Sequence, residues 1–233
     1  MRIVVSGSAG IGKTTLINDF LQKWPMYKKS GETYREMVKE KKLKLNKKGN
    51  KESQEIILGA LIDEVIKYTK KTDNVIHDRG PLDALIWSMW MNAKGKSDIS
   101  DSDIKNYLSL VKKTMKFVDI IFYIPRDEKY IIEMENKENR EKDEVFQKEI
   151  DMFFQLAKES WQKEENVFFP KDDTPPVIEI FGNREERLKM IELYISNEGK
   201  SHSENQSLLQ DFLDKMKEQV TDPLLPKIPI IRK

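Results

Sequence analysis

At 233 residues the chain suits one α/β domain with insertions and can bury a substantial core. Lysine plus arginine number 41 against 40 acidic residues, so the net charge of +1 supplies no global field for drawing in nucleic acid. The absence of cysteine excludes a disulfide framework and a thiolate metal site, and no apolar run approaches the roughly 20 residues of a spanning helix. A soluble, cytoplasmic protein with no membrane partner and no signal peptide is expected, because the N-terminus runs straight into a strand.

The first predicted element is an apolar strand, RIVVS, followed by Gly7-Ser8-Ala9-Gly10-Ile11-Gly12-Lys13-Thr14 and then a helical pattern. This is a phosphate-binding loop between the elements it requires. Gly7, Gly10 and Gly12 permit left-handed or crowded backbone, so successive N–H groups can converge on one anion. The helix from Lys13 aims its positive end at the same point. Lys13 is expected to reach the β- and γ-phosphates of a nucleoside triphosphate, and the Thr14 hydroxyl to bind Mg²⁺. Ser8, Ala9, Ile11 and Thr15 complete the nucleotide-binding stretch, with Thr15 chiefly supporting the helix.

Further short strands are predicted around 26–30, 74–78, 119–124 and 176–181, separated by helical stretches. Such alternation predicts a parallel sheet covered on both faces. Buried helical stripes run through Ile57, Leu61, Val65 and Tyr68, through Ile104, Leu108, Val111 and Met115, and through Phe146, Ile150, Phe153, Ala157 and Trp161. Residues 39–51 carry seven lysines. They read as a solvated helix end and loop, with a lysine-rich lip for a phosphorylated or polymeric substrate as the alternative. Past residue 196 the chain turns polar, then shows an apolar spacing at Leu209, Phe212, Met216 and Val220, then a proline-punctuated end. Residues 197–233 are therefore expected to form a linker, an amphipathic helix that docks on the domain or on a second subunit, and a tail.

A triphosphate loop alone does not separate a kinase from a switch or a motor. The second motif, VIHDRGPLD over 75–83, places an acid at the carboxyl end of a strand, followed at once by an arginine and a turn. In a parallel sheet that acid, Asp78, reaches the crevice beside the phosphate loop and can serve Mg²⁺. Arg79 is expected to project across the gap toward the transferring group or an acceptor phosphate, and Asp83 to meet the substrate. His77 should point into the helix layer as a core histidine. Trp87, Trp90 and Tyr34 could stack on a base or simply pack.

With both motifs in place, the chain resembles the P-loop nucleoside and nucleotide kinases, a group that includes thymidylate kinases, deoxynucleoside kinases and nicotinamide-riboside kinase-like AAA-type families. The resemblance covers about residues 1–196 and implies a P-loop three-layer fold with a five-stranded parallel sheet of order 2-3-1-4-5. It also implies ATP and Mg²⁺ as cofactors and a small nucleoside or nucleotide acceptor. By this resemblance Glu32, just after the second strand, is the base on the acceptor hydroxyl, and Arg35 is an acceptor clamp. A lid over about 126–145 would bring Arg140 to the γ-phosphate, with Arg126, just past the fourth predicted strand, as the alternative cation for that task. Gly182 and Asn183 fall where such kinases wrap the adenine. Two other functions fit the motifs: phosphorylation of a hydroxyl on a modified base within DNA or RNA, and a nucleotide-dependent regulatory ATPase.

Overall fold

The computed structural model describes residues 1–30, 33–95, 97–127, 144–161, 167–170 and 174–202, with the side chains of 33–35, 46 and 161 left out of the description. Five strands form one sheet: β1 (Arg2–Ser6), β2 (Lys28–Ser30), β3 (Val75–Asp78), β4 (Ile120–Tyr123) and β5 (Val177–Glu179). Every pairing is parallel and the order is β2-β3-β1-β4-β5. The expected order therefore holds. The three inner strands, β3, β1 and β4, are buried throughout, as a sheet with helices on both faces requires.

On one face lie α1 (Lys13–Lys23) and α7 (Arg184–Glu192). Ile3, Val5, Ile76, Ile120 and Phe122 of the sheet pack there against Leu16, Ile17, Phe20 and Ile191. The opposite face carries α3 (Lys51–Ile66), α4 (Pro81–Ala93), α5 (Asp101–Thr114) and α6 (Glu144–Trp161), and a short α2 (Thr33–Glu40) packs on α3. Val4, Ile121 and Tyr123 point to this side, the opposite parity from Ile3 and Val5. Consecutive residues of β1 thus face different helices.

Local chemistry sets several of the ends. Asn50 accepts from the Ser53 amide at the start of α3, and Ser100 from the Asp103 amide at the start of α5. Pro81 opens α4, where its missing N–H is no loss. The stripe predicted through Phe153 turns slightly: Phe154 is the fully buried ring, stacked on Tyr123, while Phe153 is partly buried at the margin. In the lysine-rich stretch α2 ends at Glu40, Leu43 and Leu45 pack on the core, and Lys51 pairs with Asp103 at 2.6 Å, which leaves a mainly solvated loop.

His77 is 1% exposed and meets Tyr68 edge-on, as a core histidine should. Residues 196–202, expected to open a polar linker, are packed onto the end of α1. Trp24 donates its indole N–H to the Ser196 carbonyl and Tyr27 its hydroxyl to the Gly199 carbonyl. The amphipathic pattern from Leu209 to Val220 lies outside the described residues. Within the described residues no helix is long and apolar enough to cross a membrane.

Candidate functional site

The carboxyl ends of β1 and β3 are neighbours, with Val5 paired to Asp78. The chain leaving β1 and the chain leaving β3 therefore share one corner. Gly7, Gly10 and Gly12 all take positive φ, of 134°, 80° and 89°. At Gly7 space decides as well as angle, since a β-carbon there would stand 2.5 Å from the Ile124 carbonyl oxygen at the end of β4. Gly12 precedes α1, whose first turn begins with the Leu16 amide bonded to the Gly12 carbonyl at 2.9 Å.

Lys13 is 6% exposed and donates its ammonium to the Gly7 carbonyl at 2.9 Å and to the Ser8 carbonyl. It lies over its own loop, inside the arc that the glycines form. Thr14 donates its hydroxyl to Asp78 Oδ2 at 3.2 Å. That contact joins the phosphate loop to the second motif through the two oxygens expected to serve a metal. Among the described residues there is no cluster of three or more histidine, cysteine or acidic side chains able to hold a metal by themselves.

Arg79 follows Asp78 with φ of 80°, an angle that favours glycine and costs a side-chain-bearing residue of order 1–2 kcal/mol. Its backbone N–H caps β1 at the Val5 carbonyl (3.1 Å), which helps hold the angle. Its guanidinium donates to the Gly7 carbonyl and to Asp83 Oδ1, both at 3.0 Å, and lies 5.9 Å from the Trp87 ring. Arg79 was expected to project across the gap; it is folded against the loop and the first turn of α4.

Asp83, expected at the substrate, is 1% exposed. Its carboxylate accepts from Ser6 Oγ at 2.7 Å, the Gly80 amide at 3.1 Å, the Gly7 amide at 3.4 Å and Arg79. These bonds span the start of the phosphate loop, the turn after β3 and α4. The geometry is that of a brace between both motifs. Sequence spacing gave no sign of Ser6 as its partner, because 77 residues separate them.

Beyond β4 a second polar group gathers. Asp151 on α6 accepts from the Tyr123 hydroxyl (3.0 Å), the Arg126 amide (3.1 Å) and Gln155 (3.0 Å), while Arg126 donates its guanidinium to Gln147. Burial raises the Asp151 carboxyl above its ordinary range, against the pull of these donors. Arg126, the third residue past β4, is thereby tied to the helix that follows residue 143. On the same side Trp87 and Trp90 flank Phe146, with centroids 5.4 and 4.6 Å away, and the Trp90 indole donates to Glu149. Trp90 is buried packing, whereas Trp87 is partly exposed beside Arg79.

Gly182 and Asn183 form the turn between β5 and α7, where Asn183 caps the helix by accepting from the Glu185 and Glu186 amides at 3.0 Å. Glu32 and Arg140 lie outside the described residues, and so does the Arg35 side chain.

A family model described as an AAA domain matches residues 2–170. No curated protein sequence matches the chain. Among solved structures, deoxyadenosine kinase from M. mycoides with bound dATP superposes with a TM-score of 0.58 at 20% identity, over 82% of this chain and 97% of that one. Thymidylate kinase from Candida albicans gives 0.57 at 15% identity, over 82% and 89%. NadR protein in complex with NR gives 0.56 at 17% identity, over 82% of this chain and 50% of that one, so the chain matches half of NadR's length. At these identities the likeness is one of fold, and the fold is that of the P-loop kinases.

Proposed function

The chain belongs to the AAA-domain family, and from that premise we propose that it is an ATP- and Mg²⁺-dependent phosphotransferase that moves the γ-phosphoryl group to a nucleoside, a nucleotide or a related small molecule. The observation that carries this reading is the meeting of Thr14 and Asp78 at 3.2 Å beside the buried ammonium of Lys13. One neutral hydroxyl and one carboxylate fit a divalent cation whose remaining ligands are phosphate oxygens and water. Thr14 and Asp78 would hold Mg²⁺, which supplies charge neutralisation on the donor when bound.

The loop amides and Lys13 would cradle the donor phosphates, and the positive φ of Gly7, Gly10 and Gly12 supports that role. Glu32 would accept the proton of the acceptor hydroxyl while its oxygen forms the new bond to phosphorus and the bond to the β-phosphate oxygen breaks. Arg35 would clamp the acceptor, and Arg140, or Arg126 in its place, would meet charge on the transferring group. Arg79 is assigned to the loop and to acceptor charge, and Asp83 to holding Arg79 and Gly7 in register. The partly exposed Trp87 offers a flat wall for an acceptor base. Similar structures hold dATP and NR, which agrees with ligands built on a nucleoside.

Transfer of label from γ-labelled ATP across a panel of nucleosides, nucleoside monophosphates and oligonucleotides tests the reading. Label on a free nucleoside or nucleotide is the expected result. Label on oligonucleotides would move the acceptor into a polymer, and hydrolysis indifferent to every acceptor would point to a regulatory ATPase.

A further inference from the structure

Behind the phosphate loop, on the face formed by α1 and α7, lies a buried guanidinium that the proposed chemistry does not use. Arg187 sits one turn into α7 and is 6% exposed. Its Nε donates to the Gly182 carbonyl at 2.8 Å and one terminal nitrogen to the Ile11 carbonyl at 2.7 Å. Desolvation lowers its pKa from the ordinary guanidinium value, yet an arginine keeps its proton under any working condition. Apart from the attraction of the Asp127 carboxylate, this buried cation is held by two backbone carbonyls from segments about 170 residues apart, a costly arrangement if only helix packing were needed.

Its two partners belong to the two ends of the donor site. Ile11 lies within the phosphate loop, and Gly182 forms the turn after β5, which the resemblance to kinases would give to the donor's base. In a trans peptide the carbonyl of one residue and the N–H of the next point in opposite directions. A hydrogen bond that fixes the Ile11 carbonyl toward Arg187 therefore aims the Gly12 N–H of the phosphate loop away from that guanidinium. The same fork fixes the Gly182 carbonyl, and the Asn183 cap locks that turn to the helix that carries Arg187.

We propose that Arg187 is a positioning residue that straps the phosphate loop to the turn after β5, presetting the span between them to that of a nucleoside joined to a triphosphate. This inference rests on the phosphotransferase reading above. A ligand that engages both ends of the site depends on the strap more than one that engages the loop alone.

The test is equilibrium binding of Mg²⁺–ATP and of Mg²⁺–tripolyphosphate to the wild-type chain, to Arg187→Gln and to Arg187→Lys. Loss of the fork should weaken ATP by about tenfold or more, the scale of a hydrogen bond to a charged group, and tripolyphosphate by about threefold or less. Arg187→Lys, which can reach one carbonyl but not both, should fall between; it also serves if the glutamine variant does not fold. Equal loss for both ligands, or an unchanged ATP affinity in either folded variant, would overturn the strap. A wild-type chain that fails to bind Mg²⁺–ATP would instead bring down the phosphotransferase reading itself.

Discussion

The two faces of the sheet do different work. On the α1 and α7 face the proposed donor corner is made by backbone: three glycines at positive φ, a helix start, and side chains such as Lys13 and Arg187 that bond to carbonyls of the loop. On the opposite face side chains of α4 and α6 meet from distant stretches of chain, with Trp87 against Phe146 and with Gln147 and Asp151 both bonded to Arg126; the proposed acceptor wall, Trp87, belongs to this group. Backbone devices tolerate little change and are shared among many proteins, whereas side-chain walls can be rebuilt to suit a new acceptor. Asp83 stands between the two, on α4 but bonded to the start of the phosphate loop.

The sharpest break between the faces comes from Lys13→Ala. Phosphotransfer should fall by about 10²–10³-fold, since a preorganised charge at the transferring group is lost, while the melting transition stays near that of the wild type. Wild-type turnover in this variant would remove the donor corner as the seat of chemistry. Asp83→Ala should act on both faces at once. It leaves Arg79 and Ser6 without their shared acceptor, and denaturant unfolding should show a loss of about 3–5 kcal/mol. A loss confined to activity, with stability intact, would return Asp83 to the substrate.

His77 tests the wall side without touching the reaction. Burial lowers its pKa to about 4 in the folded chain, below the ordinary value of 6.5. The unfolded chain takes up this proton first, so stability is complete above about pH 6.5 and is lost as pH falls from there toward 4. The full loss amounts to roughly 3 kcal/mol. Denaturant midpoints measured from pH 7 to 4 should show this slope in the wild type, and His77→Leu should flatten it. A smaller effect is expected at Trp87→Ala, where the acceptor KM should rise about tenfold with the ATP KM unchanged. Equal changes in both constants would deny that the faces are separable.

The same division explains what could be read from the sequence. The phosphate loop and the Asp78 corner were legible because each is a run of adjacent residues whose types have one joint physical use, and the alternation of strands and helices implied a parallel sheet. The strand order came from the resemblance to kinases and was matched by the fold. Helix α4 was not delimited, because LDALIWSMWM is apolar on nearly every side and shows no stripe of period 3.6. Nor could spacing foresee that Asp83 would be claimed by Ser6 and Gly7, that Arg79 would fold back onto the loop, or that Arg187 would reach Ile11. Each of these depends on which carbonyl or carboxylate the fold brings within hydrogen-bond distance, and residue type alone does not encode that.

The central claim is that Thr14 and Asp78, joined across two strands, serve one metal-dependent donor crevice. Measuring ATP affinity with and without Mg²⁺ for the wild type and for Asp78→Asn tests it most directly. Mg²⁺ should tighten ATP by about tenfold in the wild type and have little effect in the variant. An Asp78→Asn chain that keeps the full Mg²⁺ dependence would contradict the account.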